Sequence, residues 1–209
     1  MVEEIRIYIE GDTKQKGKNS DIALREGFHN FFRELIEKAR EQNIKFRITL
    51  CSSKFITFKV FLNGVKVYQD SFVAFLIDAD DTVDEKETAK SFLQKQNADW
   101  YWQTINEEQC FLMVQMMESW FFADIDTLEK YYGQNFNRKA LRQSNNVEKI
   151  AKSDVKNGLA NATKNTQKGE YHKTKHGAKL LELINPQKVR EVAPHCKRLF
   201  ETIAKKIEK

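Results

Sequence analysis

The chain has 209 residues, of which 41% are hydrophobic and 31% charged, and its formal net charge at pH 7 is +5. These values are typical of a soluble globular protein with room for one α/β domain and a helical extension, and no apolar run approaches the length of a membrane span. The acidic start, Met-Val-Glu-Glu, lacks a secretory signal, so we expect a cytoplasmic protein without a membrane partner. The three cysteines, Cys51, Cys110 and Cys196, are odd in number and widely spaced, which favours reduced thiols.

The first predicted strand covers residues 4–10, where apolar and polar side chains alternate until the chain reaches the acidic Glu10. Residues 13–21 contain no apolar side chain and are predicted to be a loop. A helix follows over about residues 20–42, because apolar residues recur there at intervals of three and four. Arg25 lies in the first turn of this helix, where it could reach a phosphate or could be an ordinary surface arginine.

The next elements continue the alternation of strand and helix. A strand is predicted at residues 46–51, then a helix from about Ser52 to Asn63, which ends in a turn at Asn63-Gly64. The central strand, Phe72–Ile77, consists of apolar residues only, which is typical of a strand buried on both faces of a parallel sheet. This order of elements predicts a parallel sheet with right-handed crossovers.

The central strand ends abruptly in acidic residues. Side chains alternate along an extended chain, so we expect Asp78 and Asp80 to project from the same side. Two carboxylates held close together repel each other unless a cation lies between them, and oxygen ligands of this charge suit Mg²⁺ or Mn²⁺. The alternative is that these acids simply begin a solvated turn, where aspartate is common.

A fourth buried strand is predicted at residues 110–115, and Glu118 follows it. The carboxyl ends of parallel strands lie at one edge of a sheet, where ligands bind. We therefore expect that edge to gather four carboxylates, those of Glu10, Asp78, Asp80 and Glu118. For Glu118 the alternative is a glutamate that only stabilises the start of a helix.

The last third of the chain is basic. Residues 138–209 contain 18 Lys or Arg and 7 Asp or Glu, whereas residues 1–137 contain 17 and 23. Helices are predicted around residues 147–159 and 196–207, with a basic loop at residues 169–176 between them. This charge favours a polyanionic partner, of which nucleic acid is the commonest, although a solvated Lys-rich surface would have the same composition.

Several other chemistries fit the sequence less well. The chain contains no glycine-rich phosphate loop and no dinucleotide fingerprint. Residues 78–82 match the Asp-x-Asp-x-Thr signature of haloacid-dehalogenase-type phosphatases, but two strands precede the signature and no Gly-Asp metal motif follows it. A zinc site built from His172, His176, His195 and Cys196 would lack the usual paired cysteines.

The chain resembles the Toprim fold, in which a Glu-Gly ends the first strand and an Asp-x-Asp ends the third, here Glu10-Gly11 and Asp78-Ala-Asp80. It is more closely similar to a group of uncharacterised bacterial Toprim-like proteins known only as a domain of unknown function. The matching segments extend over nearly the whole chain and are residues 7–11, 25–28, 113–124, 131–133 and 171–176. The resemblance implies a Toprim-like α/β domain, which we place at residues 1–137. The charge pattern and the lack of a low-complexity linker predict that residues 138–209 form a basic helical extension packed on it.

The resemblance further implies a Mg²⁺- or Mn²⁺-dependent nuclease. Glu10, Asp78 and Asp80 would hold the metal, and Glu118 would complete its shell. The expected phosphate contacts are Arg25, Lys54, Lys173 and His176. Similar proteins are often encoded beside ABC-type ATPases in phage-defence operons, which implies an ATPase subunit as a partner.

Two residues depart from the family pattern, and one other function remains open. Lys54 stands where the family often has arginine, so a bidentate phosphate contact would become a point charge. Asp80 stands where the family commonly has glutamate. The alternative to a nuclease is a binding module that keeps the Toprim fold and assembles with an ATPase or nucleic acid without cutting.

Overall fold

The structure is a computed structural model that describes residues 2–11 and 18–208. Positions 13–17 of the expected loop lie outside the described residues. Positions 18–21 belong to helix α1 (Lys18–Phe31), so the loop prediction is wrong there. Within the described part of the chain, no helix is both long and apolar enough to cross a lipid bilayer.

Four parallel strands form one sheet in the order β2-β1-β3-β4. Their ranges are Glu4–Glu10 (β1), Lys45–Cys51 (β2), Ser71–Asp78 (β3) and Cys110–Met113 (β4). Helical segments connect successive strands, as parallel pairing requires. The predicted α/β class, a parallel sheet flanked by helices, is confirmed, and the carboxyl ends of all four strands lie at the same edge of the sheet.

The described residues also form nine α-helices. They are α1, α2 (Arg33–Glu41), α3 (Lys54–Val67), α4 (Ala89–Gln96), α5 (Ile125–Tyr132), α6 (Lys152–Thr163), α7 (Ala178–Leu183), α8 (Pro186–Val192) and α9 (Pro194–Ile207). Two shorter helical segments bear on the site: a 3₁₀ segment at Met117–Ala123 and a π-helical turn at Lys173–Gly177.

Two local predictions are wrong in detail. The single helix expected over about residues 20–42 is divided into α1 and α2 at Phe32. The turn expected at Asn63-Gly64 is absent, because α3 continues through it to Val67. Gly64 is buried against the ring of Tyr8 on β1, and a Cβ atom there would lie 2.6 Å from the tyrosine oxygen. The glycine therefore allows α3 to approach the sheet closely and does not mark a turn.

The central strand β3 is buried on both faces, as predicted. Phe72, Ala74 and Leu76 belong to the core on one face of the sheet, which also contains the buried aromatic residues of α1 and α9. Val73, Phe75 and Ile77 belong to a second core on the other face. The alternation of strand side chains thus divides one apolar run between two cores.

The C-terminal helices pack on the first of these cores. Helix α7 packs on α1, and α9 packs on α2 and β4. The apolar stripe of α9 is buried as expected; its members are Cys196, Leu199, Phe200, Ile203 and Ile207. The buried His195 near the start of α9 contacts buried Glu148, with 2.7 Å between Nδ1 and Oε2. The division of the chain into residues 1–137 and 138–209 stays a prediction.

Candidate active site

Three acidic residues from separate parts of the chain meet at the carboxyl edge of the sheet. Glu10 ends β1, Asp78 ends β3, and Glu118 lies in the 3₁₀ segment that follows β4. The backbone amide of Asp78 donates to Glu10 Oε2 at 3.2 Å, and the amide of Met117 donates to Asp78 Oδ1 at 2.9 Å. Carboxylate–amide hydrogen bonds therefore join the ends of the three strands. Glu10, Asp78 and Glu118 are called the acid cluster below.

Two side chains from the basic residues 138–209, called the basic tail below, contact the acid cluster. The ammonium of Lys173 lies 3.6 Å from Asp78 Oδ2 and 3.8 Å from Glu118 Oε2. The Tyr171 hydroxyl donates to Glu118 Oε1 at 3.0 Å. The π-helical turn that carries Lys173 is held by His176, whose Nδ1 accepts a hydrogen bond from the His172 amide at 3.0 Å. The tail thus supplies the positive charge that the acid cluster requires.

Asp80 has a different set of partners. It adopts a left-handed conformation with φ of 64°, so the extended chain ends at Asp78 and the expected alternation does not reach Asp80. Its Oδ2 lies 2.6 Å from the ammonium of Lys54, and its Oδ1 is paired with the ammonium of Lys152. Asp78 and Asp80 therefore have different ammonium partners, while the charge of Asp80 still acts to raise the pKa of Glu10. The expected sharing of one cation by Asp78 and Asp80 stays a prediction. Lys54 and Lys152 are called the lysine pair below.

The position of Lys152 depends on buried Gln115. The Gln115 side-chain amide donates to the Ile150 carbonyl at 3.0 Å, and its oxygen accepts from the Lys152 amide at 3.0 Å. The Gln115 carbonyl also accepts from the Asp80 amide at 2.7 Å. Gln115 therefore links the end of β4, the start of α6 and the loop that carries Asp80. Sequence analysis did not single out Gln115 or Lys152, although a glutamine within an otherwise apolar run was a detectable signal.

Burial dominates the electrostatics of the acid cluster. It raises the pKa of Asp78 to about 7; the charge of Lys173 opposes the rise, whereas the carboxylates of Glu118 and Glu10 add to it. Burial also raises the pKa of Glu10, against the hydrogen bond from the Asp78 amide and the charge of Lys54. Burial thus favours the protonated form of Asp78 to a pH far above that at which an exposed aspartate loses its proton.

The pKa values of the neighbouring Lys173 and Tyr171 are shifted in the directions that these charges require. Burial acts to lower the pKa of Lys173, but the charges of Asp78, Glu118 and Glu10 outweigh it, so the pKa is raised. Burial, together with the Glu118 carboxylate, raises the pKa of Tyr171 well above its ordinary value. Lys173 is therefore a cation and Tyr171 a neutral hydrogen-bond donor at physiological pH.

Asp80 stays ionised. Burial acts to raise its pKa, but hydrogen bonds from Lys152 and Lys54 and the charges of these two lysines lower it.

The donor types in the acid cluster fit a hard divalent cation. All the donors are carboxylate oxygens, which Mg²⁺ and Mn²⁺ prefer, and Glu118 Oε2 is buried without a hydrogen-bond partner. However, no three His, Cys, Asp or Glu side chains in the described residues are already arranged to hold a metal ion. The ammonium of Lys173 stands between Asp78 and Glu118, so it must move aside before these two carboxylates can share an ion.

The expected phosphate contacts have different surroundings. Lys54 belongs to the lysine pair and contacts Asp80, whereas Lys173 contacts Asp78 in the acid cluster. Arg25 is exposed on α1, next to Leu24, which lies against Gly11 at the end of β1. His176 was expected to contact phosphate, but only 2% of this residue is exposed, so a phosphate in solvent cannot reach it in this structure. Burial, followed by the charge of Lys175, lowers the pKa of His176, so the imidazole is a neutral group inside the protein.

A family model for a domain of unknown function, DUF4276, matches residues 9–204. The match begins within β1 and ends within α9, so it includes the acid cluster, the lysine pair and the basic tail. No curated protein and no solved structure matches the chain. Because the family model matches most of its length, the chain belongs to the DUF4276 family.

Proposed function

We propose that this protein is a Mg²⁺- or Mn²⁺-dependent nuclease of Toprim type that hydrolyses phosphodiester bonds in DNA or RNA. One observation carries the proposal: Glu10, Asp78 and Glu118 come from the ends of three strands and meet at one edge of the sheet. The order of the motifs supports the Toprim assignment, since a Glu-Gly ends β1 and an Asp-x-Asp begins at the last residue of β3.

A contribution to folding stability does not explain why these three carboxylates lie together. Buried carboxylates close to one another disfavour ionisation, as the raised pKa values of Asp78 and Glu10 indicate. Such shifts are concentrated at functional sites, where a group is kept in an unfavourable environment for its chemistry. A bound divalent cation would relieve the repulsion between these carboxylates and would make the cluster favourable.

Glu10, Asp78 and Glu118 would hold the metal after the ammonium of Lys173 has moved aside. A bound Mg²⁺ or Mn²⁺ supplies Lewis acidity toward the phosphate and lowers the pKa of a bound water molecule. The protein's own groups then have separate tasks. Lys173 can donate hydrogen bonds to phosphate oxygens. Glu10, whose carboxylate is fixed by the Asp78 amide, could serve as the general base instead of as a metal ligand. Asp80, which we expected to be a metal ligand, is instead engaged by the lysine pair in this structure.

The biological setting is part of the same proposal. The resemblance to Toprim-like proteins encoded beside ABC-type ATPases supports an ATPase subunit as the partner and a cytoplasmic role in anti-phage defence. Control by a partner would also provide a means of displacing Lys173, because Lys173 and Tyr171 belong to one short segment that contacts the acid cluster.

A catalytically silent binding module is the second candidate function. The observation that favours it is the position of Lys173, whose ammonium lies 3.6 Å from Asp78 and 3.8 Å from Glu118 and offsets part of their negative charge. In this case the protein would bind nucleic acid or an ATPase and would cut nothing.

The deciding experiment is a cleavage assay on end-labelled single-stranded DNA, double-stranded DNA and RNA. Each substrate is incubated with Mg²⁺, Mn²⁺ or EDTA, with and without a candidate ABC-type ATPase partner. We expect metal-dependent cutting by the wild type and by Asp99→Ala, a control at an exposed acid, and no cutting by Asp78→Ala. Binding without cutting under every condition would support the binding module, and equal cutting by Asp78→Ala would refute the proposed site.

A further inference from the structure

Lys54 and Lys152 converge on a single carboxylate. Lys54 is the first residue of α3 and Lys152 the first residue of α6. Their ammonium groups contact different oxygens of Asp80, with 2.6 Å between Lys54 Nζ and Oδ2. Two helices that are far apart in the sequence thus place two cations on opposite oxygens of one side chain.

Both lysines are held by buried parts of the protein, unlike ordinary surface lysines. The ammonium of Lys54 also donates to the Ala79 carbonyl at 3.3 Å, and Ala79 is fully buried. The backbone of Lys152 is fixed by the side chain of Gln115, which is 4% exposed. The two cations are therefore positioned in advance, which lowers the entropy that binding a ligand between them would cost.

The charges of the lysine pair and Asp80 do not balance. Two ammonium groups contact the one carboxylate of Asp80, and the charge of Lys54 also acts on Glu10. Each ammonium group has three N–H donors, so it can donate to a ligand as well as to Asp80. Both lysines also lie at helix N-termini, where the helix dipole favours an anion. The side chain of Asp80 is 47% exposed, so a ligand from solvent can reach the group. A phosphodiester group could accept hydrogen bonds from both lysines at this position.

We propose that the lysine pair binds one backbone phosphate of a nucleic-acid strand, and that Asp80 positions the two ammonium groups and does not bind the catalytic metal. The identity of the polymer rests on the proposed nuclease function. The bound phosphate would lie beside the acid cluster, because Asp80 is only two residues beyond Asp78. Lys152 thereby becomes a substrate-binding residue, and the strand crosses the carboxyl edge of the sheet at the loop after β3.

Binding can be measured without metal and without cutting. Fluorescence anisotropy of labelled single-stranded DNA and RNA in EDTA, at several salt concentrations, gives the affinity and its dependence on salt. We expect Lys54→Gln and Lys152→Gln each to weaken binding by roughly three- to tenfold at low salt. Because both lysines contact the same phosphate, the double variant should lower the salt slope by about 0.7, the value for a single phosphate, and not by twice that amount.

Matched controls separate this site from a general effect of charge. Lys205→Gln removes an exposed lysine far from the lysine pair and should bind as the wild type does. The neighbouring Lys206 marks its position, since the ammonium of Lys206 lies over Phe72 at the start of β3, near the opposite edge of the sheet. Asp80→Asn should bind more tightly, because it removes the negative charge that the two ammonium groups contact and keeps a side-chain oxygen that can still accept a hydrogen bond from one of them. Asp99→Asn should bind as the wild type does. Thermal unfolding of each variant shows whether it is folded.

The outcomes distinguish this proposal from the nuclease proposal. Weaker binding by both lysine variants, with no cutting under any metal, would support the phosphate site and refute the nuclease. Metal-dependent cutting with unchanged binding and cutting by the lysine variants would refute the phosphate site and leave the nuclease standing. The phosphate site would also be refuted if the double variant lowered the salt slope by twice the value for one phosphate, or if the wild type bound no nucleic acid.

Discussion

Replacing Asp78 by asparagine tests the electrostatics of the acid cluster. The pKa of Asp78 is raised from 3.8 to about 7, so between these values the folded protein binds more protons at this site than the unfolded chain. Stability must therefore fall as the pH rises through this range. Asparagine does not titrate, and its side-chain oxygen can still accept the hydrogen bond from the Met117 amide.

The size of the effect follows from the pKa shift. A shift of about three pKa units corresponds to about 4 kcal/mol above pH 7, of which about 3 kcal/mol develops between pH 5 and pH 8. The side chain of Asp78 is 14% exposed, so screening by solvent reduces this value only slightly. Relative to the wild type, Asp78→Asn should gain about 3 kcal/mol over this pH range. For a chain of this length the gain corresponds to roughly 6–12 °C in Tm.

The assay is urea and thermal unfolding of wild type, Asp78→Asn and Asp99→Asn in EDTA at pH 5 to pH 8. Asp99 is exposed, so its variant should follow the wild type at every pH. If the wild type and Asp78→Asn had parallel curves of stability against pH, the inferred burial among carboxylates would be refuted. A relative loss of stability in Asp78→Asn at high pH would show instead that the ion pair with Lys173 dominates.

Three further outcomes are expected. Tyr171→Phe should lower the free energy of unfolding by about 1–3 kcal/mol in urea, because one oxygen of buried Glu118 loses its hydrogen bond, whereas exposed Tyr101→Phe should have no effect. Gly64→Ala should cost about 1–3 kcal/mol, because the new methyl group would collide with Tyr8; a variant as stable as the wild type would show that α3 can move. Native protein should react slowly with a thiol reagent and unfolded protein with three equivalents, because burial raises the pKa of every cysteine; rapid labelling of native protein would contradict this burial. The cysteines are Cys51, Cys110 and Cys196.

The sequence was sufficient for the sheet and for the meeting of the acids. Alternating or apolar runs identified the strands, and an acid ends or follows three of them. Parallel topology then requires the carboxyl ends of the strands to lie together. Glu10 and Asp78 are 68 residues apart, yet a hydrogen bond joins them. The shared edge was predictable because it depends only on the strands being parallel, whereas the adjacency of β1 and β3 that allows this contact was not predicted.

The counter-ions of the acids were not predictable in this way. Lys152 is 72 residues from Asp80, and no spacing rule connects a helix start to a loop that precedes it by this distance. The left-handed conformation of Asp80 depends on the tertiary hydrogen bond to the Gln115 carbonyl, so extrapolation of the strand failed there. His176 lies in a lysine-rich segment typical of an exposed loop, but the segment folds into a π-helical turn that buries the imidazole.

Titration calorimetry with Mn²⁺ tests the central claim, that Glu10, Asp78 and Glu118 hold one divalent ion together. We expect saturable binding by the wild type at pH 8, weaker binding at pH 6 because the metal competes with the proton on Asp78, and no binding by Asp78→Asn or Glu118→Gln. Asp80→Asn should bind Mn²⁺ as the wild type does. Undiminished Mn²⁺ binding by Asp78→Asn and Glu118→Gln, or no binding by the wild type at any pH, would contradict the claim.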